Sequence, residues 1–252
     1  MNLISQYKGN LFNLKNKVAI IAGASRGIGL AISKGFKQNG AFVIGLSRKR
    51  SFSKCFDLFY ECDTTKKQDL ENIFKNLKQK NIFLDVLVYS AGISYCEENE
   101  NLKFEKLINN NLNGNFFFIN YLKTLLKKNS SIINISSINA KLGFPLNPGY
   151  VASKGGVESL TRSLALDFSK KNIRVNCIRP GYIKTEMTQN SYKNKLTRDI
   201  RSNKTILKRW GKVEDLIGPA IFLASEASSY MTGSVITVDG GWIAKGLDEL
   251  EL

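Results

Sequence analysis

A tyrosine and a lysine are the residues whose types and spacing most directly suggest chemistry. Tyr150 and Lys154 stand four positions apart in the run GYVASKGG, so on a helix both side chains project from one face. A tyrosine has an ordinary pKa of about 10, which is too high for efficient acid–base work at neutral pH. A nearby ammonium favours the phenolate, and we therefore expect Lys154 to lower the pKa of Tyr150.

Ser137 and the absence of histidine fit the same chemistry. Ser137 precedes Tyr150 by 13 residues and ends an apolar run, where its hydroxyl can donate to a carbonyl oxygen that gains charge. The chain contains no histidine, which removes every histidine-based triad and every histidine metal ligand. No CxxC pair occurs, so we expect no metal site and four free thiols, at Cys55, Cys62, Cys96 and Cys177.

A glycine-rich turn near the N-terminus suggests a phosphate site. The run AGASRGIG, Ala22–Gly29, lies between a predicted buried strand and a predicted helix. Its glycines at 23, 27 and 29 permit a tight turn and let backbone amides approach a pyrophosphate at the helix N-terminus. The spacing is G-x3-G-x-G rather than G-x-G-x-x-G, and its position after the first strand predicts dinucleotide binding.

The end of the second predicted strand bears on the choice of cofactor. An acidic residue there would bind the ribose 2′-hydroxyl, but the chain reads Ser47-Arg48-Lys49-Arg50. Arg48, together with Arg26 in the glycine turn, could clamp a 2′-phosphate through charge-assisted hydrogen bonds. These arginines could also be ordinary surface cations of a basic protein. We expect NADP(H) rather than NAD(H).

Short apolar runs alternate with longer amphipathic stretches along the chain. Seven β-branched runs without strict alternation read as strands buried on both faces: Lys17–Gly23, Ala41–Ser47, Leu58–Cys62, Leu84–Gly92, Ser131–Ser137, Ile173–Gly181 and Val235–Gly241. Five helices are predicted at Ile28–Gln38, Lys67–Lys78, Leu102–Lys127, Gly149–Lys170 and Glu214–Ser225. This alternation predicts an α/β fold: one Rossmann-type, doubly wound parallel sheet of about seven strands with helices on both faces.

Two connections depart from that pattern. Arg48–Asp57 is too short to hold much of a helix, so the second crossover should be irregular. Arg179–Gly211 is long, polar and without a predicted strand, which is typical of a substrate loop, here placed at about residues 182–212. No repeat or linker divides the chain, and residues 1–252 are expected to form one domain.

The formal net charge is +16, and 43% of the residues are apolar. A basic chain could bind nucleic acid, but lysine and asparagine recur throughout and no nucleic-acid-binding motif is present, so a solvated basic surface is the favoured interpretation. No signal peptide or membrane-length apolar run is found. We expect a cytoplasmic protein that binds neither nucleic acid nor membrane.

Several motifs together resemble the short-chain dehydrogenase/reductase family, from Leu11 to Ala244. They are Gly23-x3-Gly27-x-Gly29, Asp63-Thr64, Ser90-Ala91-Gly92, Asn111-Leu112, Ser137, Tyr150-x3-Lys154, Pro180-Gly181 and Val238-Asp239-Gly240-Gly241. The resemblance implies a dehydrogenase or reductase acting on an alcohol or ketone. Two positions depart from the family pattern: Ala22 replaces the usual threonine, and Tyr89-Ser90 replaces the usual Asn-Asn.

The resemblance implies roles for individual residues. Tyr150 is the implied general acid/base, Ser137 positions the substrate oxygen, and Lys154 binds the nicotinamide ribose and tunes Tyr150. Asn111 would hold a water in a proton relay, Asp63 would contact the adenine and Thr185 the carboxamide. The full implied cofactor set is Gly23, Ser25, Arg26, Gly27, Ile28, Gly29, Ser47, Arg48, Asp63, Thr64, Ser90, Ala91, Gly92, Tyr150, Lys154, Pro180, Gly181, Ile183 and Thr185.

Two branches of the family compete for the substrate; we expect a sugar acid or another carbohydrate-derived compound, with a 3-oxoacyl carrier-protein thioester as the alternative. Arg209–Trp242 is similar to gluconate and deoxygluconate dehydrogenases, whereas the GASRGIG turn and the short Arg48–Asp57 link suit 3-oxoacyl-carrier-protein reductases. A cofactor-binding regulator without turnover is a remote alternative. The family also implies a homotetramer or homodimer built on the long helices, and the run Phe116–Asn120 suits either that interface or packing on the sheet.

Overall fold

A computed structural model describes residues 10–94 and 100–245, and its centre is a parallel sheet of seven strands. The strands lie in the order β3-β2-β1-β4-β5-β6-β7, and every pairing between neighbours is parallel. They are β1 (Val18–Ala22), β2 (Phe42–Ser47), β3 (Leu58–Glu61), β4 (Leu84–Tyr89), β5 (Leu126–Ile135), β6 (Arg174–Pro180) and β7 (Val235–Val238). The predicted fold class and all seven predicted strands are confirmed.

The sheet is buried on both faces because its strands are apolar in both registers. On β1, Ile20 and Ala22 contribute to one core cluster, while Ala19 and Ile21 contribute to the cluster on the opposite face. The helices that cover these clusters are α1 (Gly27–Gln38), α2 (Lys67–Gln79), α3 (Glu100–Ile108), α4 (Gly114–Leu122), α5 (Pro148–Asp167), α6 (Gln189–Lys193), α7 (Lys195–Lys204) and α8 (Ile217–Ala224). No helix within the described ranges is long and apolar enough to span a bilayer.

The predicted helix Leu102–Lys127 is wrong at its C-terminal end and is not a single α-helix. A π-helical turn, Asn109–Asn113, joins α3 to α4, and a final helical turn ends at Leu125. Leu126 then pairs with Leu84, and the register shifts before Val86 pairs with Ser131. Asn129 adopts a φ of 65° in this irregular stretch, a conformation that asparagine tolerates better than most residues. The chain thereby enters β5 five residues earlier than the apolar pattern predicts.

The run Phe116–Asn120 lies in α4 and divides between the core and the surface. Phe118 and Ile119 are buried in the core cluster on that face of the sheet, so packing on the sheet is confirmed for them. Phe116 is exposed. Its place in an interface between subunits stays a prediction.

The two unusual connections largely follow the sequence pattern. No helix forms between β2 and β3; instead the Asp57 carboxylate accepts hydrogen bonds from the Val43 amide at 2.7 Å and the Lys37 ammonium at 2.6 Å. The segment 179–211 is not entirely free of strand, because Arg179 and Pro180 complete β6. Beyond them it folds into α6 and α7 and closes through a bridge between Ile183 and Gly211.

Tyr89, where the family has asparagine, fills a space beside the π-helical turn. Its hydroxyl donates to the Asn110 carbonyl at 2.7 Å and lies 3.0 Å from the Thr64 hydroxyl. A Cβ on Gly114 would stand 2.6 Å from the Tyr89 hydroxyl oxygen. The large residue at 89 and the small residue at 114 therefore complement each other.

We predict that Gly114→Ala destabilises the protein through this contact, although alanine ordinarily favours a helix by about 1 kcal/mol over glycine. Tyr89→Phe removes the blocking oxygen, so in the double variant the Gly114→Ala change should cost less than it does alone. Urea unfolding of the four proteins measures the coupling energy. Strictly additive free energies of unfolding would show that the tyrosine does not confine residue 114.

Candidate active site

A cavity of about 660 Å³ opens at the carboxyl edge of the sheet. Every residue of the implied cofactor set lines it, and so does Ser137; the set comprises Gly23, Ser25, Arg26, Gly27, Ile28, Gly29, Ser47, Arg48, Asp63, Thr64, Ser90, Ala91, Gly92, Tyr150, Lys154, Pro180, Gly181, Ile183 and Thr185. The strands run in one direction, so residues far apart in sequence converge where the strands end. The cavity lies within the size range of ligand pockets.

Close packing makes two glycines of the first turn necessary. Gly23 has a φ of +78°, and a Cβ there would stand 2.6 Å from the Ala91 amide nitrogen. A Cβ on Gly29 would stand 2.2 Å from the Gly23 carbonyl oxygen. The turn thus brings the start of α1 directly against β1 and against the segment that follows β4.

The N-terminus of α1 suits an anionic group. No side chain caps it, and its first turn contains no acidic residue. The first three residues of α1, Gly27–Gly29, line the cavity, where free backbone amides and the positive end of the helix dipole favour a phosphate. The residues present therefore fit the pyrophosphate of a dinucleotide.

The two arginines that the sequence offers for a 2′-phosphate differ in their partners. Arg48 and Lys49 line the cavity after β2, and Arg48 forms no ion pair within the described part of the chain. Arg26 instead lies 2.7 Å from the Glu186 carboxylate, with both side chains largely exposed. Arg48 is therefore the more available of the two arginines for a 2′-phosphate.

Tyr150 and Lys154 lie in the first two turns of α5, as their spacing predicts. The Lys154 ammonium lies 5.8 Å from the centre of the Tyr150 ring and donates to the Ile135 carbonyl at 2.9 Å. Lys154 is only 6% exposed. Ser137, after the end of β5, lines the same cavity, so the three candidate catalytic groups are brought together.

The expected lowering of the Tyr150 pKa is not found in the protein alone. Burial raises the pKa of Tyr150, and the nearby Tyr182 raises it further, while the Ser137 hydroxyl favours the phenolate and opposes the rise. Burial also lowers the pKa of Lys154 to about 8. Desolvation is therefore the largest effect on the pKa of both groups, and residue spacing does not reveal it.

Asn111 lies behind the cavity rather than in its lining. Its side-chain oxygen accepts from the Ile93 amide at 2.9 Å, and its amide donates to the Ile93 carbonyl at 3.0 Å and to the Ser153 hydroxyl at 3.1 Å. The side chain thus ties the end of the β4 segment to α5. The side-chain groups of Asn111 thus already have protein partners. The role of Asn111 in holding a water stays a prediction.

A buried ion pair that the sequence reading missed links the elements carrying the site. Arg179 and Glu158 are about 7% and 8% exposed and meet through two hydrogen bonds of 2.7 and 2.6 Å. Glu158 also accepts from Ser136 at 2.9 Å, and Arg179 donates to Thr237 at 3.1 Å. The pair joins β5, α5, β6 and β7 directly behind Ser137 and Lys154. The sequence feature that could have indicated this ion pair is the glutamate one helical turn after Lys154.

Comparisons with known proteins identify the family of the chain. A family model described as Enoyl-(Acyl carrier protein) reductase matches residues 23–243. The chain belongs to the short-chain dehydrogenase/reductase family.

Its relatives include proteins of both branches that the sequence left open. The chain is 35% identical to a 2-dehydro-3-deoxy-D-gluconate 5-dehydrogenase of Bacillus subtilis, over 95% of this chain and 99% of the relative. It is 34% identical to a 3-oxoacyl-[acyl-carrier-protein] reductase of Thermotoga maritima, over 91% and 99%. A gluconate 5-dehydrogenase of Burkholderia cenocepacia, solved with NADP and tartrate, superimposes with a TM-score of 0.87 at 28% identity, over 94% and 98%.

We predict that Lys154→Met stabilises the protein at neutral pH. Between pH 8 and 10.5 the unfolded lysine holds a proton that the folded one has lost, so the contribution of Lys154 to the free energy of unfolding rises with pH in this window. Below pH 8 the cost of burying the ammonium is fully present. The free energy of unfolding of the variant should therefore exceed that of the wild type by up to about 3 kcal/mol at pH 7. The difference should shrink as the pH approaches 10.5.

Urea unfolding at a series of pH values measures this difference. Lys34→Met, at an exposed position on α1, is the matched control for replacing a lysine by methionine. A Lys154→Met advantage that grows between pH 8 and 10 would contradict the lowered pKa.

Proposed function

We propose that this member of the family is an NADP(H)-dependent oxidoreductase that interconverts a ketone and a secondary alcohol, with a sugar acid or another carbohydrate-derived compound as substrate. The observation that carries the proposal is the meeting of Ser137, Tyr150 and Lys154 with the glycine turn in one cavity. A cofactor site alone would suit a regulator without turnover. The three side chains together add the groups that proton transfer requires.

The three side chains have distinct proposed roles. The Tyr150 hydroxyl gives a proton to the substrate oxygen in reduction and takes it back in oxidation. The Ser137 hydroxyl donates to the same oxygen and stabilises its negative charge. Lys154, held by the Ile135 carbonyl, favours the phenolate and binds the nicotinamide ribose. The hydride would come from, or go to, the nicotinamide of a cofactor held in this cavity.

The proposed cofactor follows from the charges around the cavity. The amides of Gly27–Gly29 bind the pyrophosphate, and Arg48 binds the 2′-phosphate. Asp63 contacts the adenine and Thr185 the carboxamide. The solved relative from Burkholderia cenocepacia binds NADP, which supports the same choice here.

A sugar acid is the favoured substrate class because of the similar proteins. Relatives named for gluconate and 2-dehydro-3-deoxy-D-gluconate are among them, and one solved relative contains tartrate, a hydroxy acid. The second candidate is reduction of a 3-oxoacyl chain on an acyl carrier protein, supported by the Thermotoga maritima relative. A cytoplasmic location and assembly as a homodimer or homotetramer stay predictions.

We predict that the purified protein reduces NADP⁺ with D-gluconate or 2-dehydro-3-deoxy-D-gluconate. Absorbance at the NADPH wavelength measures the rate, and acetoacetyl thioesters with NADPH form the opposing arm. A kcat/KM for the thioesters that exceeds the value for every sugar acid would replace the first candidate by the second. No turnover in either arm would favour a different substrate or a regulator.

We predict that Arg48→Gln raises the KM for NADP⁺ about tenfold or more, because a charge-assisted contact to the 2′-phosphate is lost. The KM for NAD⁺, which has no 2′-phosphate, should hardly change. Arg50→Gln removes the same charge two residues away, at a position outside the cavity lining, and is the matched control. Equal effects of Arg48→Gln on both cofactors, or an initial preference for NAD⁺, would contradict the assignment.

A further inference from the structure

The net positive charge is concentrated in the segment after β6. Residues 182–212, here called the substrate lobe, contain nine lysines and arginines against Glu186 and Asp199, a formal charge of +7 out of +16 for the chain. The basic residues are therefore not spread evenly along the chain. Such a concentration of positive charge attracts anions to the surface of the lobe.

The lobe begins at the candidate active site. Tyr182 lies between Gly181 and Ile183, both of which line the cavity. Tyr182 is also near enough to Tyr150 to contribute to its raised pKa. The first residue of the lobe thus lies near enough to the proposed proton donor to influence it electrostatically.

Tyr182 belongs to an aromatic cluster, defined as Tyr182, Tyr192, Trp210 and Trp242. The centre of its ring lies 5.4 Å from that of Trp210 and 4.9 Å from that of Trp242, and Tyr192 meets Trp210 edge-on at 5.3 Å. Trp210 is buried, and its indole nitrogen donates to the Arg198 carbonyl at 3.1 Å. These contacts pack the four rings against one another, and Tyr182 connects the cluster to its lining neighbours Gly181 and Ile183.

Arg201, on α7, stacks on this cluster. Its guanidinium carbon lies 4.3 Å from the centre of the Tyr182 ring and 5.6 Å from that of Trp210. A guanidinium that lies over a ring and has no other acceptor for its N–H groups can bind a carboxylate through two parallel hydrogen bonds.

The partners of the other arginines in the lobe make Arg201 distinctive. Arg198 pairs with Asp199, and Arg209 makes two hydrogen bonds to Asp215. Arg201 is half-buried, and its guanidinium has neither a carboxylate nor a hydrogen-bond acceptor among residues 10–94 and 100–245. A half-buried guanidinium without such a partner is suited to an anionic ligand.

We propose that Arg201, stacked on Tyr182, binds the carboxylate of a small hydroxy-acid substrate and determines the preference for acids over neutral polyols. This inference rests on the proposed function and assigns its substrate recognition to one residue. An acidic carrier protein would instead meet the exposed cations of the lobe, such as Lys193 and Lys195. The half-buried place of Arg201 over the Tyr182 ring favours a small molecule.

The chain offers an internal probe for this test. Its two tryptophans, Trp210 and Trp242, both belong to the aromatic cluster, so tryptophan fluorescence reports on the cluster alone. The protein with saturating NADPH, which cannot accept a hydride from an alcohol, is titrated with D-gluconate and with D-glucitol, which has the same carbon chain but no carboxylate. Arg201→Gln should weaken gluconate binding about tenfold or more and leave glucitol binding unchanged. Arg201→Lys should restore part of the loss.

Lys193→Gln is the matched control, because it removes one charge from an exposed position of the same lobe. Equal losses for Arg201→Gln and Lys193→Gln would overturn the proposal in favour of a diffuse field suited to an acidic partner. Equal losses for gluconate and glucitol would also overturn it, as would the absence of any fluorescence change with gluconate in the wild type. Thermal unfolding of each variant shows whether it folds.

Turnover separates this inference from the proposed function. Binding of gluconate that depends on Arg201, without its oxidation, would support the carboxylate site and count against the proposed reaction. Full oxidation of gluconate by Arg201→Gln at an unchanged KM would support the reaction and overturn the role of Arg201.

Discussion

The parallel direction of all seven strands is the constraint on which the rest of the structure depends. Because the strands share one direction, β1, β4, β5 and β6 all end at the same edge of the sheet, and the chain leaving each of them lines one cavity. The glycine turn, Ser137 and Pro180-Gly181 are far apart in sequence and meet only for this reason. The crossover helices that a parallel sheet requires then supply Tyr150 and Lys154 from α5.

Buried polar side chains connect these elements. Burying such groups costs free energy of folding. Lys154 is held by a strand carbonyl, Asn111 joins the segment after β4 to α5, and the Glu158–Arg179 pair joins four elements behind the site. Burial lowers the pKa of Lys154, so the folded protein pays for keeping an ammonium beside Tyr150. Active sites commonly retain such destabilising groups because the chemistry requires them.

Local patterns predicted much of this molecule, and the parts they missed depend on tertiary contacts. Apolar runs and glycine spacing located the strands and the glycine turn, since both depend on neighbouring residues. The early end of the helix at Leu125 depends on pairing of Leu126 with Leu84, and the Glu158–Arg179 pair joins a helix to a strand 21 residues away. The pKa of Tyr150 depends on burial, which spacing does not reveal. Arg201 is one cation among many in the sequence, and only its place on Tyr182 distinguishes it.

In the proposed reaction, Tyr150 transfers the proton of a ketone–alcohol interconversion. Tyr150→Phe keeps the ring and removes only the hydroxyl, so comparing NADPH binding with NADPH oxidation, using a ketone that the wild-type protein reduces, tests it most directly. Loss of general acid catalysis predicts a fall in kcat of about a hundredfold to ten-thousandfold with the Kd for NADPH nearly unchanged. An unchanged kcat in a variant that still binds NADPH would contradict the account.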